Sequence, residues 1–210
     1  KNKLAEIKDK ATYNLEKLIF DFSKKFTNQG GEVYFAQNEK DVYDIISRLI
    51  KNNEIEKFAI SKSNIVDELE IREYFEKKSI PFINTNIGDY ITKLNNKKSN
   101  HLVSSAINLN LEDIHNLDIP NIEDITTLED TIKIISNNID EEIRNNVNCT
   151  ISGANMLIAE TGSILLVENE GNILKSKAYT KNHIVIAGID KMILNLNDID
   201  LILPMLSIYG

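Results

Sequence analysis

The sequence predicts an α/β fold built on a parallel sheet, and three observations carry that prediction. Short apolar runs alternate with segments of helical periodicity from residue 32 to residue 94. The stretches between those runs are long enough to hold helices, which is what parallel neighbours need in order to connect. The chain has 210 residues, 42% of them apolar and 7% aromatic, enough for a buried core and unlike a disordered or collagen-like composition.

Taken in order, Leu4, Ile7, Ala11, Leu15, Leu18, Ile19, Phe22 and Phe26 recur at helical spacing, so residues 4–26 predict one long amphipathic helix that Gly30-Gly31 ends. That helix, within residues 1–29, is expected to pack on a domain spanning 30–210. EVYFA (32–36) reads as a strand, 39–52 as a helix capped by Asn38, and KFAIS (57–61) as a second strand. A helix over 65–78 capped by Ser63, a strand IPFINT (80–85) and a helix over 87–94 complete a right-handed parallel βαβαβ unit. Residues 108–146 form an acidic helical segment: a short helix at 110–117, Pro120, then Ile125, Leu128, Ile132, Ile135, Ile139 and Ile143 at helical spacing. From Cys149 onward, glycines at 153, 162, 171 and 188 punctuate the β-rich runs SILLVEN (163–169) and HIVIAGI (183–189), and a final apolar helix covers about 198–206.

The composition excludes several functions. With 32 acidic and 24 basic side chains the net charge is -8, which argues against a nucleic-acid binder. The excess is local. Residues 108–144 hold ten carboxylates against Lys133 and Arg144, and the remainder balances at 22 of each sign. One cysteine, Cys149, permits no internal disulfide and cannot supply the roughly four ligands of an iron–sulfur cluster. In its apolar setting it reads as a buried, inert thiol. No run reaches the ~18 apolar residues of a membrane span and no signal core opens the chain, so a cytoplasmic location is expected. The 27 asparagines are scattered and read as surface residues, not as a prion-like tract.

Candidate chemistry gathers in ISGANMLIAETGSILLVENEGN (151–172). Glu160-Thr161-Gly162 reads as a polar turn between two buried pieces with a carboxylate at its tip. Such a group can be a nucleophile, a general base or an orienting anion, or it can cap the turn or pair with a lysine. Asn169, Glu170, Gly171 and Asn172 end the next run and either line the same cleft or form a simple turn. Ser61, Lys62 and Ser63 lie between a strand and a helix, where hydroxyls, ammonium and helix N-terminus can hold a carboxylate or phosphate; plain N-capping is the alternative. His101 and His183 each flank an apolar run and can serve acid–base chemistry or stand as satisfied structural residues. No His, Cys or carboxylate spacing fits a metal site, and none is expected.

These residues carry a resemblance. Gly30-Gly31-Glu32-Val33, Ser61-Lys62-Ser63, Gly88-Asp89-Tyr90-Ile91, Ser99-Asn100-His101-Leu102-Val103, the 151–172 passage, His183 through Lys191 and Leu203-Pro204-Met205-Leu206 occur in the order found in the LUD domain of lactate utilization proteins. The B-type is the nearest and the stand-alone C-type sister is second. Ile173 and Thr180 depart from the B-type pattern, which has Gly and Pro there.

The resemblance implies a Rossmann-like sheet of the kind shared by ribose-5-phosphate isomerase, glucosamine-6-phosphate deaminase and CoA transferases, with ligands beyond the carboxyl ends of the strands. It also implies support of L-lactate oxidation to pyruvate within a multisubunit iron–sulfur complex, with other lactate utilization subunits as partners. The 4Fe-4S clusters would lie in a cysteine-rich region after Gly210, so the chain is expected to be a piece of a longer protein that is inactive alone. Glu160-Thr161-Gly162 is similar to the Glu-x-Gly turn carrying the nucleophile of some CoA transferases. A stand-alone enzyme using Glu160, and a non-catalytic assembly module, are therefore the rival expectations.

Overall fold

The computed structural model describes residues 2–94, 119–120, 127–168 and 170–209. His101, Asn169, Ile125 and the helix expected at 110–117 lie outside the described residues. The chain divides into two units, residues 1–41, 154–167 and 186–210 in the first, and 42–153 and 168–185 in the second.

The second unit is built on a four-stranded sheet of order β2-β1-β3-β6: β1 (Phe58–Ile60), β2 (Phe82–Asn84), β3 (Cys149–Gly153) and β6 (Asn182–Ile186). Strand β1 runs parallel to both neighbours, with Ala59 opposite Ile83 on one side and Thr150 on the other. A parallel strand with helices on both faces can be apolar throughout, and Phe58, Ala59 and Ile60 are all fully buried. On one side Phe75 of α5 (Ile71–Lys77) meets Phe58 and Phe82 edge-on, at 4.9 and 6.0 Å between ring centroids. Elsewhere in this unit, Ile135, Ile139 and Ile143 of α7 (Leu128–Asn146) cluster with Ala59, Ile83 and Ile91, the last from α6 (Ile87–Leu94). Spaced four apart, they form the stripe a helix buries. Leu128 and Ile132 of the expected stripe lie off it and are exposed. Ile135→Val is accordingly expected to cost about 1 kcal/mol and Ile132→Val close to nothing, as read by urea unfolding.

The first unit holds a three-stranded sheet, β5-β4-β7. Strand β4 (Met156–Ile158) is antiparallel to β5 (Ser163–Leu165) and parallel to β7 (Met192–Ile193). Leu18 and Phe22 of α2 (Leu15–Asn28) cluster with Ala159 and Met192. Ile202 of α9 (Ile199–Tyr209) packs on Met156, Ile158 and Ile193.

Several expectations need correction. The single N-terminal helix is two, α1 (Asn2–Tyr13) and α2, separated at Asn14, whose side-chain amide and backbone N–H both donate to the Lys10 carbonyl, at 2.9 and 3.3 Å. Residues 32–36 belong to neither sheet; β1's second neighbour is β3, a fully buried strand, whereas Tyr34 and Phe35 are exposed. The helix expected over 65–78 breaks into α4 (Asn64–Glu68) and α5 where Glu70 turns left-handed at φ 44°. Strands read as SILLVEN and HIVIAGI are shorter, ending at Leu165 and Ile186. Helix α3 (Glu39–Asn52) and α6 have the bounds expected, and Asn38 caps α3 by accepting the Asp41 N–H at 3.0 Å. Among the described residues no helix is long and apolar enough to cross a membrane.

Candidate functional site

In the second unit the chain leaves β1 and β2 at their carboxyl ends through Ser61-Lys62-Ser63 and Thr85-Asn86. Ser61 donates its N–H to Ile151 O at 2.9 Å, which continues the β1–β3 ladder one residue past the strand. Its side chain is 1% exposed, and its hydroxyl has no hydrogen-bond partner among the described residues. Lys62 Nζ lies 3.8 Å from Asp89 in the first turn of α6. Ser63 occupies the N-cap position of α4 in extended conformation but forms no side-chain cap bond.

Arg72, on α5, ties these loops together. Its Nε donates to Asn84 Oδ1 at 2.8 Å, its Nη2 donates to Ser61 O at 3.2 Å and lies 3.7 Å from Asp89, and its Nη1 pairs with Asp67. Burial pushes the Asp67 carboxyl up despite Arg72, which pulls it down, and Asp89 adds to the rise.

The segment after β5 closes the group. Glu168 accepts the N–H of Ile173 at 2.6 Å and of Leu174 at 3.2 Å, so its carboxylate caps α8 (Asn172–Tyr179). Glu170 accepts from the Asn86 amide at 2.6 Å; its pKa is raised, first by desolvation and then by Asp89, against hydrogen bonds from Ile87 and Asn86. Although Glu170 is partly open to solvent, the Asp89 and Lys62 charges both act on it. Gly171 is left-handed at φ 66°, and Asn172 donates to Thr85 Oγ1 at 3.2 Å. Glu170 and Asn172 therefore both hold the loop after β2.

His183 and Ser152 face each other across β6 and β3, with Nε2 2.8 Å from Oγ. Burial, aided by the Lys177 charge, pushes the imidazole down to about 4, so it is neutral at pH 7. Cys149 is fully buried and burial pushes its thiol up to about 12, as expected of an inert core cysteine.

Glu160, Thr161 and Gly162 lie in the first unit, in the turn between β4 and β5. Glu160 Oε2 accepts the Leu196 N–H at 2.8 Å, where a 3-10 turn (Leu196–Asp198) begins, and its carbonyl accepts Lys25 Nζ at 2.6 Å. Gln29 donates to the Thr161 carbonyl at 2.8 Å, and the buried Thr161 hydroxyl has no partner among the described residues. Glu160→Ala is expected to cost about 1 kcal/mol through the lost bond to Leu196, with Glu160→Gln keeping most of it, as urea midpoints will show.

The structure thus gathers Ser61, Lys62, Ser63, Glu170, Gly171, Asn172 and His183 in one unit and carries Glu160, Thr161 and Gly162 on the other. Sequence reasoning missed Arg72, Asn84, Asn86 and Asp89 as members of the group. Asp89 lies inside the Gly88–Ile91 string and Asn86 directly follows a strand, which are usable signals; Arg72 carries none, because its partners are distant in sequence. No group of three or more potential metal ligands occurs among the described residues.

The family model for the LUD domain matches residues 19–209. Curated relatives include an uncharacterized electron transport protein YkgF of Escherichia coli (strain K12), 28% identical over 99% of this chain and 44% of its own length. They also include Lactate utilization protein B of Shouchella clausii (strain KSM-K16), 27% identical over 96% of this chain and 43% of its own, and of Bacillus pumilus (strain SAFR-032), 26% identical over the same shares. The chain spans less than half the length of these relatives. No solved structure matches it.

Proposed function

We propose, from the premise that this chain belongs to the LUD domain family, that it serves lactate utilization as the LUD portion of a B-type protein. In this proposal it supports oxidation of L-lactate to pyruvate in a cytoplasmic, multisubunit electron-transfer assembly. The names of the relatives support that reading, and they match nearly the whole of this chain. We read the parallel sheet as the Rossmann-like type shared with ribose-5-phosphate isomerase, glucosamine-6-phosphate deaminase and CoA transferases. The ligand site of such a sheet lies beyond the carboxyl ends of its strands.

One observation carries the site. Ser61, Lys62, Arg72, Asn84, Asn86, Asp89, Glu170 and Asn172 converge on the carboxyl ends of β1 and β2, and a buried hydroxyl there lacks a partner among the described residues. A small hydroxylated or anionic ligand satisfies such a hydroxyl and takes Lys62 as its counter-charge. The site supplies binding and orientation. Electron transfer belongs to iron–sulfur clusters, and the one cysteine here, with its thiol pushed up to about 12, does not fit cluster ligation. No step on this chain runs through a cluster.

A ligand bound only by the folded chain raises its melting temperature. L-Lactate or pyruvate is expected to do so, and Lys62→Ala to weaken the effect about tenfold, near 1.4 kcal/mol. Within the intact assembly, Lys62→Ala is expected to slow lactate oxidation while Glu160→Gln leaves it unchanged. Loss of oxidation in a folded Glu160→Gln variant would move the chemistry to the β4–β5 turn and favour the transferase-like alternative.

A further inference from the structure

We infer that α8 is a strap that comes off β3 as one unit while the sheet stays folded, and that acid drives its release. The inference makes no use of the proposed ligand site, so the two stand or fall separately.

The seat of α8 is polar. Of its eight residues only Ser176 is buried, and Leu174 is 66% exposed. The helix lies against β3 and α7. On β3, Thr150 and Ser152 share one face by the alternation of a strand, and both are fully buried. Thr150 Oγ1 lies 2.9 Å from Thr180 Oγ1, at the end of α8. Apolar burial, the main force that keeps a short helix formed and in place, is therefore small here.

Polar contacts hold the helix instead. Lys175 Nζ lies 3.0 Å from Asp140, Arg144 Nη2 donates to the Tyr179 hydroxyl at 2.9 Å, and Asn172 donates to Thr85 Oγ1 at 3.2 Å. Lys175 and Tyr179 are exposed, and water replaces contacts of that kind at little cost. Left-handed Gly171, with nothing within 4 Å of a built Cβ, and extended Thr180 bound the segment. Eight residues do not sustain a helix alone, so α8 unravels once released.

The trigger is His183, whose Nε2 lies 2.8 Å from Ser152 Oγ. The charge that acts on it from α8 is Lys177; from β3 the titratable group beside β6 is Cys149, a neutral thiol bonded by the Ile184 N–H. With α8 seated, burial first and Lys177 second push the imidazole down to about 4. Release removes Lys177 and admits water, which returns the imidazole to its ordinary value near 6.5. Between those values the released form binds more protons, so opening grows as pH falls, about thirtyfold from pH 7.5 to pH 5. Glu170 opposes part of that rise, because its raised pKa makes it bind protons more readily in the seated form.

Amide hydrogen exchange of the 210-residue chain, followed by NMR and corrected for the intrinsic pH dependence of exchange, tests this. The Lys175–Thr180 amides are expected to open at least a hundredfold more often than those of Phe58 and Ser61, which bond within the sheet, and with little urea dependence. Lys175→Met should raise α8 opening about threefold and leave the sheet amides unchanged. From pH 7.5 to pH 5 the α8 opening constant is expected to rise at least tenfold in the wild type and less than threefold in His183→Gln. Lys177→Met, at an exposed position, should shrink the same rise and serves should His183→Gln fail to fold. Exchange of the α8 amides at the rate and urea dependence of Phe58 and Ser61 overturns the inference. So does a pH-driven rise that neither folded variant reduces.

Discussion

Gly162→Ala is expected to destabilise the first unit by about 3 kcal/mol, the largest loss we foresee from a single methyl group in this chain. Two costs add. Gly162 is left-handed at φ 68°, where a Cβ costs about 1 kcal/mol. That Cβ would also come 2.7 Å from Phe26 N and 2.9 Å from the Lys25 carbonyl carbon, backbone atoms of α2 that no rotamer change can move. Overpacking of this kind costs about 1–3 kcal/mol more. Gly171 is the natural control: it has nearly the same φ, 66°, but nothing within 4 Å of a built Cβ. Gly171→Ala should therefore lose only about 1 kcal/mol. Hydrogen exchange of the β4 and β5 amides reads the first effect directly. Equal losses from the two substitutions would show that the packing against α2 contributes nothing.

Acid is expected to weaken the second unit through His183, by about 2 kcal/mol between pH 7.5 and pH 5. The imidazole titrates near pH 4 when folded and near 6.5 when unfolded, because burial beside Ser152 and Lys177 disfavours its charged form. Between those values the unfolded chain binds more protons, so stability falls with pH. The contribution is whole above about pH 6.5 and is lost as pH drops through 4. Asp67 and Glu170 act oppositely: with raised pKa values they bind protons more readily when folded and offset part of the slope. His183→Asn removes only the histidine component. The difference between wild type and variant in urea unfolding, measured across pH 4–7.5, isolates it. Parallel curves for the two proteins would contradict the buried, neutral imidazole.

Much of the architecture was legible locally, and the errors have physical causes. The bounds of α3 and α6 follow from helical periodicity between polar turns, and the Ile135–Ile139–Ile143 stripe marks the buried face of α7. Residues 32–36 have strand composition but take no place in either sheet, because sheet membership is decided by long-range partners, and Cys149–Gly153 holds that place beside β1. The break at Asn14 falls inside an unbroken run of helical spacing, so periodicity does not register it. At the candidate site, Ser61, Lys62 and Glu170 were legible from strand ends and a turn. Arg72 was not, since its role depends on Asn84, twelve residues away, and on Asp89 in another helix. Glu160 stands out in sequence as a carboxylate on a glycine turn; its bond to Leu196 becomes visible only once β4 and β7 pair.

The central claim is that the carboxyl ends of β1 and β2 hold the ligand. Amide chemical-shift mapping of the 210-residue chain titrated with L-lactate tests it most directly. The account predicts saturable shifts at Ser61, Lys62, Thr85, Asn86, Asp89 and Glu170–Asn172, all abolished by Lys62→Ala, with the Glu160–Gly162 turn unmoved. Shifts confined to Glu160, Thr161, Gly162 and Leu196, or shifts that survive Lys62→Ala, would contradict it.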